Sequence, residues 1–412
     1  MKDLFITANF LPKIGGIEEY VFNLCKEWND LTRENNLCSN IKEPVDNFFG
    51  QKQEGSVIVL AHSYRKNKKA EKEFDQKQNF KIIRRILDFP WKWIKPKWIL
   101  SPIFAYQIAK SEKIKRVHSA SGFASFISAY FLKRSLGLPY FIYVYGLDFL
   151  TLQKKWLKRR LLAMIFKQAD GFVGCSKFTQ SLIKNFCQRF KIDLSKKKSI
   201  VLYPGVDAIK ARADLDQRHL REKYNLEDKK VLLSVGRLIG RKGFDKVIEA
   251  MPLILKKLPN TVYFIVGEGL FRKELEKIVK NLNLENAVKF LGSVSDKSLP
   301  YFYNLCDILL MPSRFIQARG DVEGFGKVFL EANLYGKPVI GGNSGGVPEA
   351  ILDGKTGFLV DPESPGDIAE KAIRLLEDDD LRLKMGQAGR ARAVNEFNWK
   401  KLISEFKREI ER

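Results

Sequence analysis

Short apolar runs recur along the chain with helical patterns between them. That alternation restricts the fold more than any other feature of the sequence. In the first half the runs rich in β-branched and aromatic residues fall at 3–9, 56–61, 116–120, 140–145, 171–175 and 199–203, with helical periodicity between several of them, as at 18–28 and 178–186. In the second half they fall at 231–235, 261–266, 288–291, 308–311, 338–341 and 357–360, with helical patterns at 214–223, 244–257, 271–282 and 326–335. Three further helical patterns, at 365–376, 381–397 and 399–411, close the chain. Strands separated by helices must be joined by crossovers, so each half reads as a parallel sheet with helices on both faces. A chain of 412 residues is too long for one such core. The expected organisation is a first domain over 1–205, a second over 206–395, and a terminal helix over 396–412 that returns to the first. Residues 64–98, including SYRKNKKAEKE and FPWKWIKPKW, interrupt the first series and read as a charged, then Trp-rich insertion of loop and irregular structure.

Charge separates the halves. Residues 1–200 hold 37 Lys and Arg against 17 Asp and Glu, while residues 201–412 hold 35 against 31. A strongly basic domain beside a near-neutral one suggests an anionic partner for the first: a membrane surface, an anionic lipid or a nucleic acid. The stretch KKWLKRRLLAMIFK at 154–167 is a basic amphipathic helix opening near a Trp, with Leu157, Leu161, Met164 and Ile165 at helical spacing. Such a helix suits an anionic membrane interface, and a helix packed on the sheet with solvated charges is the competing reading. The five cysteines are scattered without metal-ligand spacing and read as reduced and structural. With no signal peptide apparent before the first strand, they point to the cytoplasm. The uncharged run at 119–132 is too short for a membrane span.

Three loops carry chemistry. Residues 320–331, GDVEGFGKVFLE, set Glu323 and Glu331 eight positions apart around Gly324, Phe325 and Gly326, ahead of an apolar run. This reads as a loop turning into a helix N-terminus, whose free amides attract anions or hydroxyls. Glu323 would stand at its mouth and Glu331 about two turns further in. Two acceptors that far apart suit the two ends of one long hydroxylated ligand. A solvated, capped helix start competes with that reading. After the first strand, Gly15 and Gly16 open a helix and could cradle a phosphate, although the pattern is not a dinucleotide fingerprint and a plain turn is the alternative. After the strand at 231–235, Gly236, Arg237 and Lys242 lie in GRLIGRKG, where both cations could reach a diphosphate. A solvated basic loop is the competing reading.

GGIEEY, SVGRLIGRKGFD, GEGLFRKELE, VKFLGSVSD, CDILLMPS, GDVEGFGKVFLEA and SGGVPEAI occur here in the order found in the family-4 glycosyltransferases. The chain resembles that family most densely over 231–360, and its DVEGFG form looks most like the phosphatidylinositol mannosyltransferase branch. The resemblance implies the α/β GT-B fold, with two doubly wound Rossmann-like domains facing across a cleft and the C-terminal helices packing back toward the first. It implies a retaining, metal-independent enzyme that uses a GDP- or UDP-sugar as donor substrate and needs no cofactor. By this resemblance, Glu323 and the amides of Phe325 and Gly326, with Gly324 in the same turn, hold the sugar hydroxyls. Glu331 accepts from the ribose, Arg237 and Lys242 bind the diphosphate, and Gly15 and Gly16 approach the phosphate from the other domain. Val294 offers backbone groups to the base. Tyr145, in YVYGLD, occupies the place of a His common in the family. It can donate a hydrogen bond but is no neutral-pH base at its ordinary pKa near ~10. The implied catalytic set is Glu323, Arg237, Lys242 and Tyr145. On the acceptor side the candidates are Asp148 and His118, a buried structural histidine being the competing reading of His118.

These readings imply transfer of a hexose to a glycolipid or oligosaccharide acceptor at the inner face of the cell membrane. No nucleic acid is expected as a partner, because the aromatic residues form no stacking array. Two other classes stand beside it: a nucleoside-diphosphate-sugar epimerase or hydrolase of the same fold, and a non-catalytic protein binding an anionic membrane or nucleic acid. Conversion of a donor without any acceptor would favour the first of these.

Overall fold

The computed structural model describes residues 1–13, 15–39, 55–63, 68–86, 97–207 and 216–412. They divide into two compact units, Met1–Tyr203 with Trp399–Arg412, and Pro204–Asn398. Each is a doubly wound α/β structure, as the alternating pattern requires.

The first unit runs β1 (Asp3–Thr7), α1 (Gly16–Ser39), β2 (Val57–Ser63), α2 (Lys68–Gln76), β3 (Lys81–Ile86), α3 (Lys97–Ser111), β4 (Arg116–Ser121), α4 (Phe123–Leu136), β5 (Tyr140–Val144), α5 (Leu147–Gln153), α6 (Trp156–Gln168), β6 (Gly171–Gly174), α7 (Lys177–Arg189) and β7 (Lys198–Val201). The strands are parallel and ordered β3-β2-β1-β4-β5-β6-β7. Successive residues of β1 point to opposite faces. Leu4 and Ile6 pack with α3, α4, α6 and α7, and Phe5 packs with α1. The chain's last helix also covers the Phe5 face of this sheet: Trp399 meets Tyr20 with ring centroids 5.4 Å apart, and Phe406 meets Trp28 at 5.7 Å.

The region at 64–98 differs from the loop expected there. Residues 68–76 form α2, and residues 81–86 form β3, which pairs in register with β2 along its whole length. Its sequence, KIIRRI, alternates only weakly because β3 is an edge strand, where cations discourage further pairing. Residues 64–67 and 87–96, which include most of the Trp-rich stretch, lie outside the described residues. The uncharged run at 119–132 supplies the end of β4 and most of α4, whose Phe126, Ala129 and Leu132 are buried. No helix among the described residues is long and apolar enough to cross a membrane.

The second unit runs α8 (Arg218–Tyr224), β8 (Lys230–Val235), α9 (Phe244–Lys257), β9 (Thr261–Val266), α10 (Arg272–Asn281), β10 (Val288–Gly292), α11 (Leu299–Leu305), β11 (Ile308–Met311), α12 (Lys327–Leu334), β12 (Val339–Gly342), α13 (Val347–Ala350), β13 (Gly357–Val360), α14 (Pro365–Glu377) and α15 (Asp379–Glu396). The remaining helix, α16 (Trp399–Glu411), belongs to the first unit. The helical stretch expected at 214–223 is α8, and residues 208–215 are outside the described set. All strands are parallel, in the order β10-β9-β8-β11-β12-β13. The order reverses between β8 and β11 here, and between β1 and β4 in the first unit. Loops that diverge from such a point leave a crevice at the carboxyl ends of the strands, where doubly wound sheets bind ligands.

Candidate functional site

The loops that leave β8 and β11 carry Arg237, Lys242 and Glu323, so the topology of the second sheet brings the GRLIGRKG and GDVEGFG stretches together. Lys242 ends a single 3-10 turn, Gly240–Lys242, and its ammonium lies 2.6 Å from Glu323 Oε2. Arg241 donates from Nη1 to the same carboxylate oxygen, and its Nε pairs with Asp321 Oδ1 at 2.8 Å. Arg314, on the loop after β11, gives its amide to the Arg241 carbonyl at 2.8 Å and its guanidinium to Asp245 Oδ2 at 2.7 Å. The two loops are thereby tied by backbone and charge alike.

Burial alone would raise the Glu323 carboxyl, whose side chain is 14% exposed. Lys242 and Arg241 outweigh that and hold it at about 2. It is ionised at neutral pH and can only accept. Burial, with Arg241 and Arg237 nearby, lowers Lys242, and Glu323 opposes the shift. Arg237 is exposed. A Cβ on Gly236 would stand 3.6 Å from Lys242 Cε, and Arg237, next in sequence, is near enough to contribute to the lowering of Lys242. Backbone bonds extend this cluster sideways: Gly236 donates to Val266 O at 2.9 Å and Gly267 donates to Gly292 O at 2.8 Å. Val294 follows two residues later, part-exposed in the loop after β10.

Gly326 caps α12 at φ 94°, a conformation L side chains rarely adopt. The apolar run after the glycine turn is therefore the helix start that was expected. Glu331 differs in depth. Because α12 begins only at Lys327, Glu331 lies one turn into the helix, not two. Its carboxylate receives the Tyr303 hydroxyl at 2.7 Å and pairs with Lys327 at 2.9 Å. Burial would raise it, and Lys327 and Tyr303 together hold it below the usual range. Phe325 is buried, its ring 5.6 Å from Phe397. The loop is braced from behind by Ser344, Gly345 and Gly346: Gly346 donates to Glu323 O at 3.0 Å, and a Cβ there would lie 2.0 Å from Gly324 O.

Sequence reasoning missed Arg241, Asp321, Tyr303 and Lys327. Arg241 stood beside Lys242 in the same motif, and Lys327 stood four residues before Glu331 on a helix, a spacing that places two side chains together. Tyr303 had no local signal.

In the first unit, Gly15 and Gly16 sit at the start of α1. Gly15 accepts the Glu19 amide at 3.0 Å, and a Cβ on Gly16 would meet open space. Tyr145 and Asp148 come together at the turn from β5 into α5. The Tyr145 hydroxyl and Asp148 Oδ1 are both buried without a hydrogen-bond partner. Burial pushes Tyr145 well above its ordinary pKa and Asp148 up to about 6, against the pull of nearby backbone amides. Of the two readings of His118, the structure shows the buried structural one. It lies in the middle of β4, fully buried, stacked on Phe5 at 4.2 Å, with Nδ1 2.8 Å from the Tyr143 hydroxyl and Nε2 3.7 Å from Asp3 Oδ1. Strand alternation turns it into the aromatic core.

Two parallel doubly wound units, with a cation-clamped carboxylate where the strand order of the second reverses, define the architecture of the GT-B glycosyltransferases. The comparisons narrow this. Residues 216–392 match the model for glycosyl transferases group 1, and residues 51–209 match the model for glycosyltransferase family 4. The chain belongs to glycosyltransferase family 4. It is 36% identical over 243 residues to a GDP-mannose-dependent alpha-(1-6)-phosphatidylinositol monomannoside mannosyltransferase of Mycolicibacterium smegmatis, a match covering 59% of this chain and 62% of that one. The chain thus spans less than two thirds of that relative's length in the match. Against the GDP-mannose-dependent monoacylated alpha-(1-6)-phosphatidylinositol monomannoside mannosyltransferase of Corynebacterium glutamicum it is 26% identical, covering 97% of this chain and 94% of that one. Among solved structures, Anabaena HepE in complex with UDP and glucose superposes with a TM-score of 0.76 at 21% identity, covering 100% and 99% of the two chains. That likeness is one of fold.

Proposed function

We propose that the protein is a retaining, metal-independent glycosyltransferase that moves a hexose of the mannose or glucose type from a nucleoside-diphosphate sugar to a lipid-linked or surface-glycan acceptor. The observation that carries this reading is the Glu323 carboxylate, buried and held at about 2 between Arg241 and Lys242 at the reversal of the second sheet. An acceptor fixed in the ionised state suits sugar hydroxyls. Lys242 and Arg237 beside it suit the diphosphate, and the charge that builds on the departing diphosphate can be met by these two cations without a metal. Glu331 takes the ribose end, with Tyr303 and Lys327 holding it ionised. Val294 and the loop after β10 take the base, and the amides at Gly15 and Gly16 suit phosphate oxygens.

In the reaction, the acceptor hydroxyl oxygen bonds to the anomeric carbon as the bond from that carbon to the β-phosphate oxygen breaks. The acceptor proton passes to the leaving phosphate on the same face, so configuration is kept and no side-chain base is needed. Tyr145 and Asp148 contact the acceptor, Tyr145 as a donor. The GDP-mannose dependence in the names of the relatives supports a mannosyl donor, with UDP-hexoses as the second class. The lipid acceptors in those names, together with the basic first unit, support peripheral contact with an anionic membrane at its inner face.

A panel of GDP- and UDP-hexoses tests the reading, because a donor that binds the folded state alone raises the melting midpoint. A rise with one of them, together with transfer that Glu323→Ala abolishes, is the expected result. No shift with any donor, or wild-type transfer by Glu323→Ala, would overturn it.

A further inference from the structure

We infer that α3, α4 and α6 form a single docking face by which the first unit lies on an anionic bilayer. The inference rests on the reading of a membrane-borne acceptor and names the surface that meets it.

The three helices cover the same face of the first sheet. Ser101 of α3 bonds to Ser128 of α4 at 2.8 Å, Tyr106 of α3 packs on Phe131 of α4 at 6.1 Å, and Lys158 of α6 lies 5.6 Å over the Phe123 ring of α4. They are 15, 14 and 13 residues long and contain no Asp or Glu at all. The opposite face of the sheet is covered by α1 and α16, which carry Glu18, Glu19, Glu27, Asp30 and Glu34, and Glu405, Glu409 and Glu411. Cations are present on both sides. On the α3-α4-α6 side the helices themselves hold no carboxylate, and Asp170, which follows α6, is neutralised by Lys133 of α4 at 2.8 Å, so the net charge of this side is positive.

Apolar exposure follows the same division. Apart from Met1, every exposed large hydrophobic residue among the described residues of the first unit lies on these helices: Ile99 and Ile103 on α3, Phe131 on α4, and Trp156, Leu157 and Met164 on α6. Trp156 and Leu157 are 62% and 61% exposed. The inner side of α6 is already occupied, with Leu162, Ile165 and Phe166 buried. Two outward apolar residues at the start of α6 thus have no structural duty toward the core. Arg160 stands 5.5 Å over the Trp156 ring, and Lys154, Lys155 and Lys167 flank the patch. A Trp and a Leu at headgroup depth, flanked by Lys and Arg on helices that carry no carboxylate, match the interface of an anionic leaflet. A nucleic acid has no use for the exposed Ile and Met.

The test is co-sedimentation of the full chain with vesicles of phosphatidylcholine alone and of phosphatidylcholine mixed with phosphatidylglycerol. Wild type should partition to the mixed vesicles and release as salt is raised. Lys155→Glu with Arg160→Glu should weaken partition on the order of 20-fold, and Leu157→Ser with Met164→Ser by about 10-fold or more. Lys26→Glu on α1 and Leu253→Ser on the second unit should change nothing, and melting curves in the absence of lipid check that all variants fold. Equal binding to both vesicle types, wild-type binding by the face variants, or equal losses in the two controls would each overturn the inference. So would sedimentation with single-stranded RNA but not with vesicles. Donor-induced melting shifts are measured without lipid. A protein that shifts with donor yet ignores vesicles loses this face and keeps the transferase reading, and the converse result separates them the other way.

Discussion

Lys242 Nζ stands 2.6 Å from Glu323 Oε2, and Arg241 donates to that same oxygen. One carboxylate oxygen so bound between two cations makes Glu323 the charge centre of the second unit's crevice. Glu323→Gln should reduce kcat/KM by ~10²-fold or more if the carboxylate positions the donor sugar. It should also lower stability by about 3 kcal/mol or more, since two buried cations lose their counter-charge. The pH dependence has a definite sign. The folded carboxyl is held at about 2, below its unfolded value near ~4.5, so its stabilisation is complete above the unfolded value and is lost as pH falls toward 2. Urea melts of wild type and Glu323→Gln should converge across that window, and a constant gap from pH 7 down to pH 2 would contradict the assignment.

The brace behind the Glu323 loop offers a test that touches no charged group. A Cβ on Gly346 would lie 2.0 Å from Gly324 O and 2.6 Å from its carbonyl carbon. Gly346→Ala must therefore push the Glu323–Gly326 turn forward. We expect the donor KM to rise roughly 10-fold or more, because misplacement by about 1 Å is costly to a positioned substrate. Gly366→Ala, whose Cβ meets only Ser364 Oγ at 3.9 Å, is the matched control and should leave the donor KM unchanged. Steady-state kinetics with the donor varied at saturating acceptor read the difference.

Much of this was legible in the sequence, for physical reasons that also mark where reading stops. The strands of both sheets announced themselves because parallel strands are buried on both faces and read as apolar runs. Lys242 and Glu323 stood out as candidates because each sits in a glycine-bearing loop that follows a strand. The partners that hold the site came from elsewhere in the chain. Tyr303 is 28 residues from Glu331, and no local pattern announces a contact made through tertiary packing. Strand β3 was hidden because an edge strand needs charge, and its Lys and Arg read as a loop. His118 stayed between two readings for a third reason: a His near the end of a strand-like run looks the same in sequence whether it faces solvent or the aromatic core.

His118 accordingly carries a prediction about stability rather than turnover. Burial and the nearby Arg116 lower its pKa, while Asp3 pulls the other way, so it stays neutral in the fold below the point where the unfolded chain binds a proton. A depressed histidine destabilises the fold as pH falls below the unfolded value near ~6.5. Wild type should therefore weaken between pH 7 and 5, and His118→Phe should lose part of that slope. The substitution keeps a ring against Phe5 but removes the bond to Tyr143, so the melting temperature should drop while the acceptor KM stays within about twofold of wild type. An acceptor KM raised without any loss of melting temperature would return His118 to the acceptor site.

Asp148 should behave in the opposite sense. Its Oδ1 is buried with no partner, and burial lifts its pKa to about 6, above the unfolded value near ~3.9. For a carboxyl raised in the folded state, the fold binds more protons than the unfolded chain between those two values. Stability is then highest below about 4, declines as pH rises through 6, and levels off above it. Asp148→Asn keeps the shape and removes the titration. The variant should be the more stable protein at pH 8, and the gap should close on titration to pH 4. If the lone oxygen is an acceptor contact, the same variant should raise the acceptor KM several-fold, in line with ~1–2 kcal/mol for a charged hydrogen bond, and leave the donor KM alone. Equal changes in both KM values would make Asp148 a structural residue of the β5–α5 turn, and a gap that widens toward pH 4 would refute the burial account itself.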